Sequence, residues 1–342
     1  MRNGSMQRFC STVSSVDRER ELARSRPSRL RRALPLIGSA NKRLGQPTRA
    51  QTTPRGVRIG EVLMPELPEV ETVRRDLDKE IAGKKIKSVE VTGARSTRRH
   101  EDLKTFIDPL VGRTVKGVDR RGKYMIVKLD GPDVLIIHLG MSGQLLRAPS
   151  VRTEMPKHTH VVITFTQGGQ LRFIDPRTFG EMFVTTLDVI EEQVPELAHL
   201  GIDPLASTVT WKAFGGLLTL RSAKLKTALM DQRVLAGIGN IYSDEILFHA
   251  GLRFDRSTDS LKPEDVRRLY RSTVEVLQEA LRLRGSSLAD AQYVDLFGNP
   301  GGYQAEHQVY ARDGLPCRRC RQTITKEKFT GRTTYFCPAC QI

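Results

Sequence analysis

The stretch MPELPEVETVRRDLDKEIAG, residues 64–83, is where this 342-residue chain begins to read as a folded protein. Val70, Val73, Leu77 and Ile81 recur at helical spacing, and Gly83 stands where a helix would end. Pro65 and Pro68 suit a first turn, and the glutamates suit the positive end of a helix. Upstream, residues 1–63 are rich in Arg, Ser and Pro without sustained periodicity, so they are expected to be a disordered or non-native extension. Downstream, IKSVEVTG, KYMIVKLD, VLIIHLG, HVVITFT and QLRFID read as strands between Gly-Gly, Gly-Pro and Asp-Pro turns. From about residue 190 the pattern turns helical, with segments near 210–219, 223–230, 240–250 and 262–284. The expected fold class is α+β: a helix with an antiparallel β-sandwich over 64–190, a helical domain over 191–305 and a cysteine-bounded unit over 306–342.

The chain holds 55 Lys and Arg against 39 Asp and Glu, a formal charge of +16. Such an excess favours a polyanionic partner, most simply nucleic acid. Residues 1–63 carry +10 of it, leaving +6 for residues 64–342. No apolar run approaches the roughly 18 residues that span a membrane, and the first residues lack the apolar core of a secretory signal. A cytoplasmic location is expected.

Four of the five cysteines form two C-x2-C pairs, CRRC at 317–320 and CPAC at 337–340, with 16 residues between them. Two such knuckles supply the four thiolates zinc prefers and no open position for a catalytic water, so the expected metal site is structural: Cys317, Cys320, Cys337 and Cys340 around one zinc ion. A redox pair of dithiols is the alternative. Between the pairs, QTITKEKFTGRTTYF reads as a β-hairpin carrying Lys326, Lys328 and Arg332, suited to a DNA groove or to protein contacts. In VLAGIGNIYSDEILFHAGL, residues 234–252, a Gly-x-Gly turn leads into a helix starting near Asn240. Its free amides suit a phosphate, and a plain turn between helices is the competing reading.

Pro65 and Glu66 also support two readings. One is a Pro-Glu helix start. In the other Met64 is an initiator that is removed, and Pro65 presents a secondary amine of low basicity. That amine would attack a sugar aldehyde carbon to give an iminium ion, with Glu66 as its acid or base.

Together these features resemble the bacterial formamidopyrimidine-DNA glycosylase (MutM) family. The resemblance spans residues 64–342 through MPELPEVETVRRDL, RRGKYMIV, HLGMSGQL, KHTHV, DPRTFG and LMDQRVLAGIGNIYSDEILF, in family order, and the C-terminal zinc finger. It implies a helix-two-turn-helix element in the helical domain and a monomeric, nucleoid-associated repair enzyme acting on oxidised bases in double-stranded DNA, with no small-molecule cofactor. It implies Pro65 as the Schiff-base nucleophile, Glu66 as the acid for sugar-ring opening, Lys123 for β-elimination and Arg332 for δ-elimination. It also implies Met141, Arg177 and Phe179 as the side chains that fill the gap left by an everted base, and His158, Lys226 and Asn240 as phosphate contacts. Glu69 and Glu245 match further acidic positions, Glu245 with a second reading as the cap of the helix at Asn240. Residues 286–303 stand where the family has a lesion-capping loop.

One departure is chemical. Behind Met64, Pro65 is a tertiary amide without a nucleophilic lone pair. Either Met64 is the true start, or residues 1–63 are an organelle transit segment, against which the acidic Asp17, Glu19 and Glu21 count. The function expected is a bifunctional glycosylase and abasic-site lyase for 8-oxoguanine and formamidopyrimidines. An endonuclease VIII-type enzyme for oxidised pyrimidines and a catalytically silent DNA-binding zinc protein are the alternatives.

Overall fold

The computed structural model describes residues 64–206, 208–288 and 293–342. The expectations for residues 1–63 lie outside the described residues. Helix α1 (Leu67–Ile81) forms where the apolar spacing placed it, and it ends at Ala82 with Gly83 at φ 81°. Strand β1 (Ile86–Val91), helix α2 (Leu103–Ile107) and strands β2 (Val115–Arg121), β3 (Tyr124–Leu129), β4 (Asp133–His138), β5 (Gln144–Ala148), β6 (Thr159–Phe165), β7 (Gln170–Ile174) and β8 (Glu181–Thr186) follow. They pair antiparallel in two sheets, ordered β1-β6-β7-β5 and β2-β3-β4-β8.

Alternation explains how these sheets stack. Met125, Val127, Leu135 and Ile137 face inward with Val161, Ile163 and Phe173 of the other sheet, and Val70, Val73 and Leu77 of α1 join that core. Ile126, Val134, Ile136 and Phe183 point the other way, onto Ile190 of the short helix α3 (Ile190–Gln193), Leu197 of α4 (Pro195–Ala198) and Val194 between them. The VLIIH run is continuously apolar because that sheet is covered on both faces.

The helical part comprises α5 (Trp211–Leu218), α6 (Leu225–Met230), α7 (Asn240–Ala250) and α8 (Pro263–Arg282). α7 is its axis: every residue from Asn240 to Phe248 is buried. The cysteine-bounded unit carries the hairpin β9 (Thr325–Phe329) and β10 (Arg332–Phe336), turned by Thr330 and Gly331 at φ 46° and 79°. Two successive positive φ values make the tight turn whose twist suits a hairpin.

The segment after α8 stands where a capping loop was expected, and part of it packs into the sandwich. Tyr293 and Leu296 belong to the sandwich core, and the Leu296 carbonyl accepts from the Arg147 amide at 2.9 Å. Arg284 pairs with Asp76 of α1 and, at 2.7 Å, with Asp295. Leu296 is fully buried, so Leu296→Ala should lower stability by about 3 kcal/mol through lost burial and a residual cavity. Urea unfolding followed by circular dichroism measures this, and a change near zero would contradict the packing of Leu296 into the sandwich core.

Candidate active site and DNA-facing surface

The first functional feature follows from two glycines. A Cβ at Gly239 would lie 2.5 Å from the Glu66 carboxyl group, and one at Gly237 (φ 94°) would lie 2.7 Å from Leu67 Cβ. The Gly-x-Gly turn therefore admits the start of α1 rather than a phosphate. The Glu66 carboxylate accepts from the amides of Gly239 (2.7 Å), Ile241 (2.9 Å) and Tyr242 (3.3 Å), and Leu67 N donates to Gly237 O at 3.0 Å. The anion at the positive end of α7 is a protein carboxylate. This corrects the expected phosphate cradle, because the amides proposed for it are engaged by Glu66.

Glu66 is buried, and burial pushes its carboxyl up against the pull of Lys123 and the three amides. Glu69, one turn on, accepts from the Glu66 amide (3.0 Å), the Tyr242 hydroxyl (2.6 Å) and the Ser286 amide (2.7 Å). Burial, aided by the neighbouring Glu66 charge, pushes its carboxyl up to about 7.

Beside these residues opens a cleft of ≈ 930 Å³, lined in part by Met64, Glu66, Lys123, Met141, Asn240 and Arg332. Lys123 is presented by the two-residue loop between β2 and β3, in which Gly122 takes φ 55°. Burial lowers the affinity of its amine for a proton, the Glu66 and Glu69 charges restore part of it, and Arg332 opposes them. Arg332 arrives from the far end of the sequence, directly after the hairpin turn. Pro65, between Met64 and Glu66, is itself buried. His138 also lines the cleft, stacked on Tyr124 at 4.5 Å, and burial pulls its imidazole down to about 4, so it is neutral near pH 7. No sequence motif singles out His138. Only the β3–β4 register, which sets it opposite Tyr124, brings it beside Lys123.

The residues expected to probe DNA are gathered by Asp175. Its carboxylate accepts from Ser142 Oγ (2.5 Å), the Arg177 amide (3.2 Å) and the Gly180 amide (2.7 Å), tying the Met141 loop to the loop of Arg177 and Phe179. A Cβ at Gly140 would meet the Gly180 nitrogen at 2.5 Å, so the two loops touch backbone to backbone. Arg177 and Phe179 are exposed, the guanidinium 5.1 Å from the ring centroid. His158 (φ 61°) is exposed on the turn before β6, and its carbonyl accepts from the Asp175 amide at 3.0 Å.

Three positions differ from expectation in what they touch. Lys226 is buried in an ion pair with Asp244 of α7 at 2.6 Å. Asn240 lines the cleft, but its Nδ2 donates to Thr333 O at 3.0 Å. Glu245 does not cap the α7 N-terminus. Its carboxylate accepts from the amides of Gln308, Val309 and Tyr310 at 2.8–3.0 Å, fastening the segment that leads to the cysteines.

Cys317, Cys320, Cys337 and Cys340 bring their sulfurs within 4.8 Å of one another, with Cys317–Cys340 at 4.0 Å and Cys320–Cys337 at 3.4 Å. Sulfurs about 2.3 Å from one zinc ion in a tetrahedron stand roughly 3.8 Å apart, so the cluster fits that ion. Among the described residues no helix is long and apolar enough to cross a membrane.

Comparison with known proteins agrees with this geometry. The models of the formamidopyrimidine-DNA glycosylase N-terminal domain, its H2TH domain and the zinc finger found in FPG and IleRS match residues 64–182, 200–292 and 314–342. The formamidopyrimidine-DNA glycosylase of Heliobacterium modesticaldum is 44% identical over 280 residues, covering 81% of this chain and 100% of that protein. The Salinispora arenicola protein of that name is 43% identical over 282 residues, covering 81% and 96%. The Lactococcus lactis Fpg solved with abasic-site DNA superposes with a TM-score of 0.73 at 38% identity, covering 81% and 99%. The Thermus thermophilus MutM protein gives 0.71 at 40% identity, covering 81% and 98%. With the zinc-finger match added to the sulfur geometry, the four cysteines hold one structural zinc ion.

Two outcomes follow. Because folding raises the Glu69 pKa from an ordinary 4.5 to about 7, Glu69 contributes stability that is complete below pH ~4.5 and lost as pH rises through 7. Glu69→Gln should flatten the fall in chemical stability between those values, and an unchanged slope would contradict the assignment. Chelating the zinc should speed amide exchange in residues 314–342 and leave the sandwich amides unchanged. Equal protection with and without metal would show that the hairpin stands without it.

Proposed function

Since this chain belongs to the formamidopyrimidine-DNA glycosylase family, we propose that it excises oxidised purines, 8-oxoguanine and formamidopyrimidines, from duplex DNA in base-excision repair and cuts the resulting abasic site. The observation that carries this reading is the convergence on one cleft of Glu66, Lys123, Asn240 and Arg332, drawn from four distant parts of the chain and set beside Pro65.

In this proposal the active form begins at Pro65, without residues 1–63 and Met64. The freed secondary amine attacks C1′ of the damaged nucleotide as Glu66, whose carboxyl burial pushes up from the ordinary range, delivers a proton to the sugar ring oxygen and opens the ring. Departure of the base leaves an iminium ion, which has no proton on nitrogen to lose and so remains an electron sink. Lys123, whose lowered proton affinity favours the free amine, takes a proton from C2′ and the 3′ phosphate leaves. A second elimination, with Arg332 on the phosphate, releases the 5′ end. Base eversion leaves a gap in the stack and an orphaned partner. Met141 fills the gap, Phe179 wedges between bases and Arg177 donates to the orphaned base. His158 and Asn240 are proposed phosphate contacts. The enzyme is proposed to act as a cytoplasmic monomer at the nucleoid.

A second reading rests on a specific observation. In the 342-residue chain Met64 precedes Pro65, and in that form Pro65 is an amide, so the protein would bind damaged DNA without cutting it.

Borohydride trapping on an 8-oxoguanine:cytosine duplex, with the full chain beside a form started at Met64, separates the readings. The short form is expected to give a covalent adduct that falls sharply in Pro65→Gly, whose imine loses its charge when its nitrogen deprotonates. No adduct from either form would overturn the Pro65 mechanism. Faster release of thymine glycol than of 8-oxoguanine would assign the oxidised-pyrimidine class instead.

A further inference from the structure

The loop that displays Arg177 and Phe179 turns on Thr178, a non-glycine residue held at φ 55°, a conformation that costs about 1 kcal/mol and persists only where neighbours impose it. Asp175 holds the amide side of this loop through Arg177 N and Gly180 N. The carbonyl side is held from elsewhere. Arg98 donates from Nη1 to Gly180 O at 2.8 Å and from Nη2 to Phe179 O at 3.3 Å, and Arg95 donates from Nε to Thr178 O at 3.3 Å. Three consecutive carbonyls thus accept from two arginines of the 3-10 turn Ala94–Thr97 and its flank. Arg98 is aimed in turn by Glu181, at 3.0 Å, and by the Arg95 carbonyl, at 3.2 Å. Glu181 is buried and also binds Arg99 at 2.7 Å, so the brace rests on an inner ion pair.

We propose that Arg98, assisted by Arg95, is a positioning residue for reading the base opposite the lesion: its guanidinium fork locks the carbonyls of residues 178–180 so that Arg177 and Phe179 project at a fixed angle. The fork is the reason an arginine stands here. A guanidinium reaches two carbonyls and a carboxylate at once, which a lysine ammonium does not do with fixed geometry. Gripped on one side only, the strained turn would relax, and the two probe side chains would lose their common aim.

This inference rests on the proposed glycosylase reading, and its test has one arm free of activity. In hydrogen exchange of the Met64-started form, Arg98→Ala should speed exchange of the amides of residues 177–180 while the β3–β4 amides keep wild-type protection. Arg98→Lys should give an intermediate rate, and Arg95→Ala a smaller change of the same kind. In excision assays, Arg98→Ala should reduce the preference for 8-oxoguanine opposite cytosine over adenine by about tenfold, the scale of one lost base-reading contact. Cutting of a preformed abasic site should stay near wild type, and Arg98→Ala combined with Arg177→Ala should lose no more discrimination than Arg177→Ala alone.

Wild-type exchange in the loop of Arg98→Ala would overturn the brace. An equal loss on all duplexes, including undamaged DNA in a binding assay, would also overturn it, because Arg98 would then be a phosphate contact. A wild-type enzyme that cuts no duplex would overturn the glycosylase reading, while the exchange arm would still decide whether the brace exists.

Discussion

The carboxylate of Glu66 at the start of α7 is the interaction on which the rest of the site depends. It joins the first helix of the sandwich to the central helix of the helical part across 173–176 positions of sequence. Burying a carboxylate is costly unless several donors meet it, and here three amides and a helix dipole do so in a space that only glycines leave open. The same bonds fix Pro65 and Glu66 against the cleft. Glu69 extends the joint by taking the Tyr242 hydroxyl and the Ser286 amide, so α1, α7 and the root of the segment after α8 meet at two carboxylates.

From that joint α7 distributes polar contacts outward, which explains why a helix buried on every side carries so many polar residues. Asp244 accepts from Lys226 and from the Tyr335 amide (2.9 Å), Asn240 donates to the Thr333 carbonyl, and Glu245 collects three amides of residues 308–310. The four cysteines draw the two ends of the hairpin unit together, and α7 decides where that unit sits. Arg332 reaches the cleft because both constraints act together. A similar logic governs the opposite wall, where Asp175 and Arg98 hold one short loop by its amides and its carbonyls.

Most of the architecture was legible as pattern. The α1 spacing and the four later helical segments match the observed Leu67–Ile81, Trp211–Leu218, Leu225–Met230, Asn240–Ala250 and Pro263–Arg282 closely, because each has an apolar stripe or run with recognisable ends. Strands β2, β5 and β8 were not singled out. VKGVDRR and QLLRA are broken by charge or small residues, and EMFVTT begins with a glutamate whose partners are arginines far away in sequence. The Gly-x-Gly turn was recognised as a place of close approach, but what approaches was misread, since a carboxylate at position 66 and an amide at 239 are neighbours only after folding. His138, Asp175 and Arg98 escaped for the same reason.

By itself, then, the sequence determined most of the element types, the four-thiolate metal site and the family resemblance. All of these are written in local periodicity, turn chemistry or fixed spacing. Tertiary structure decided which anion occupies the α7 N-terminus, that Lys226 pairs with Asp244, that Tyr293 and Leu296 pack into the sandwich, and which side chains share the cleft. Those outcomes depend on distances between segments as far apart in sequence as Glu66 and Arg332, and periodicity carries no information about which distant donor will meet which buried acceptor.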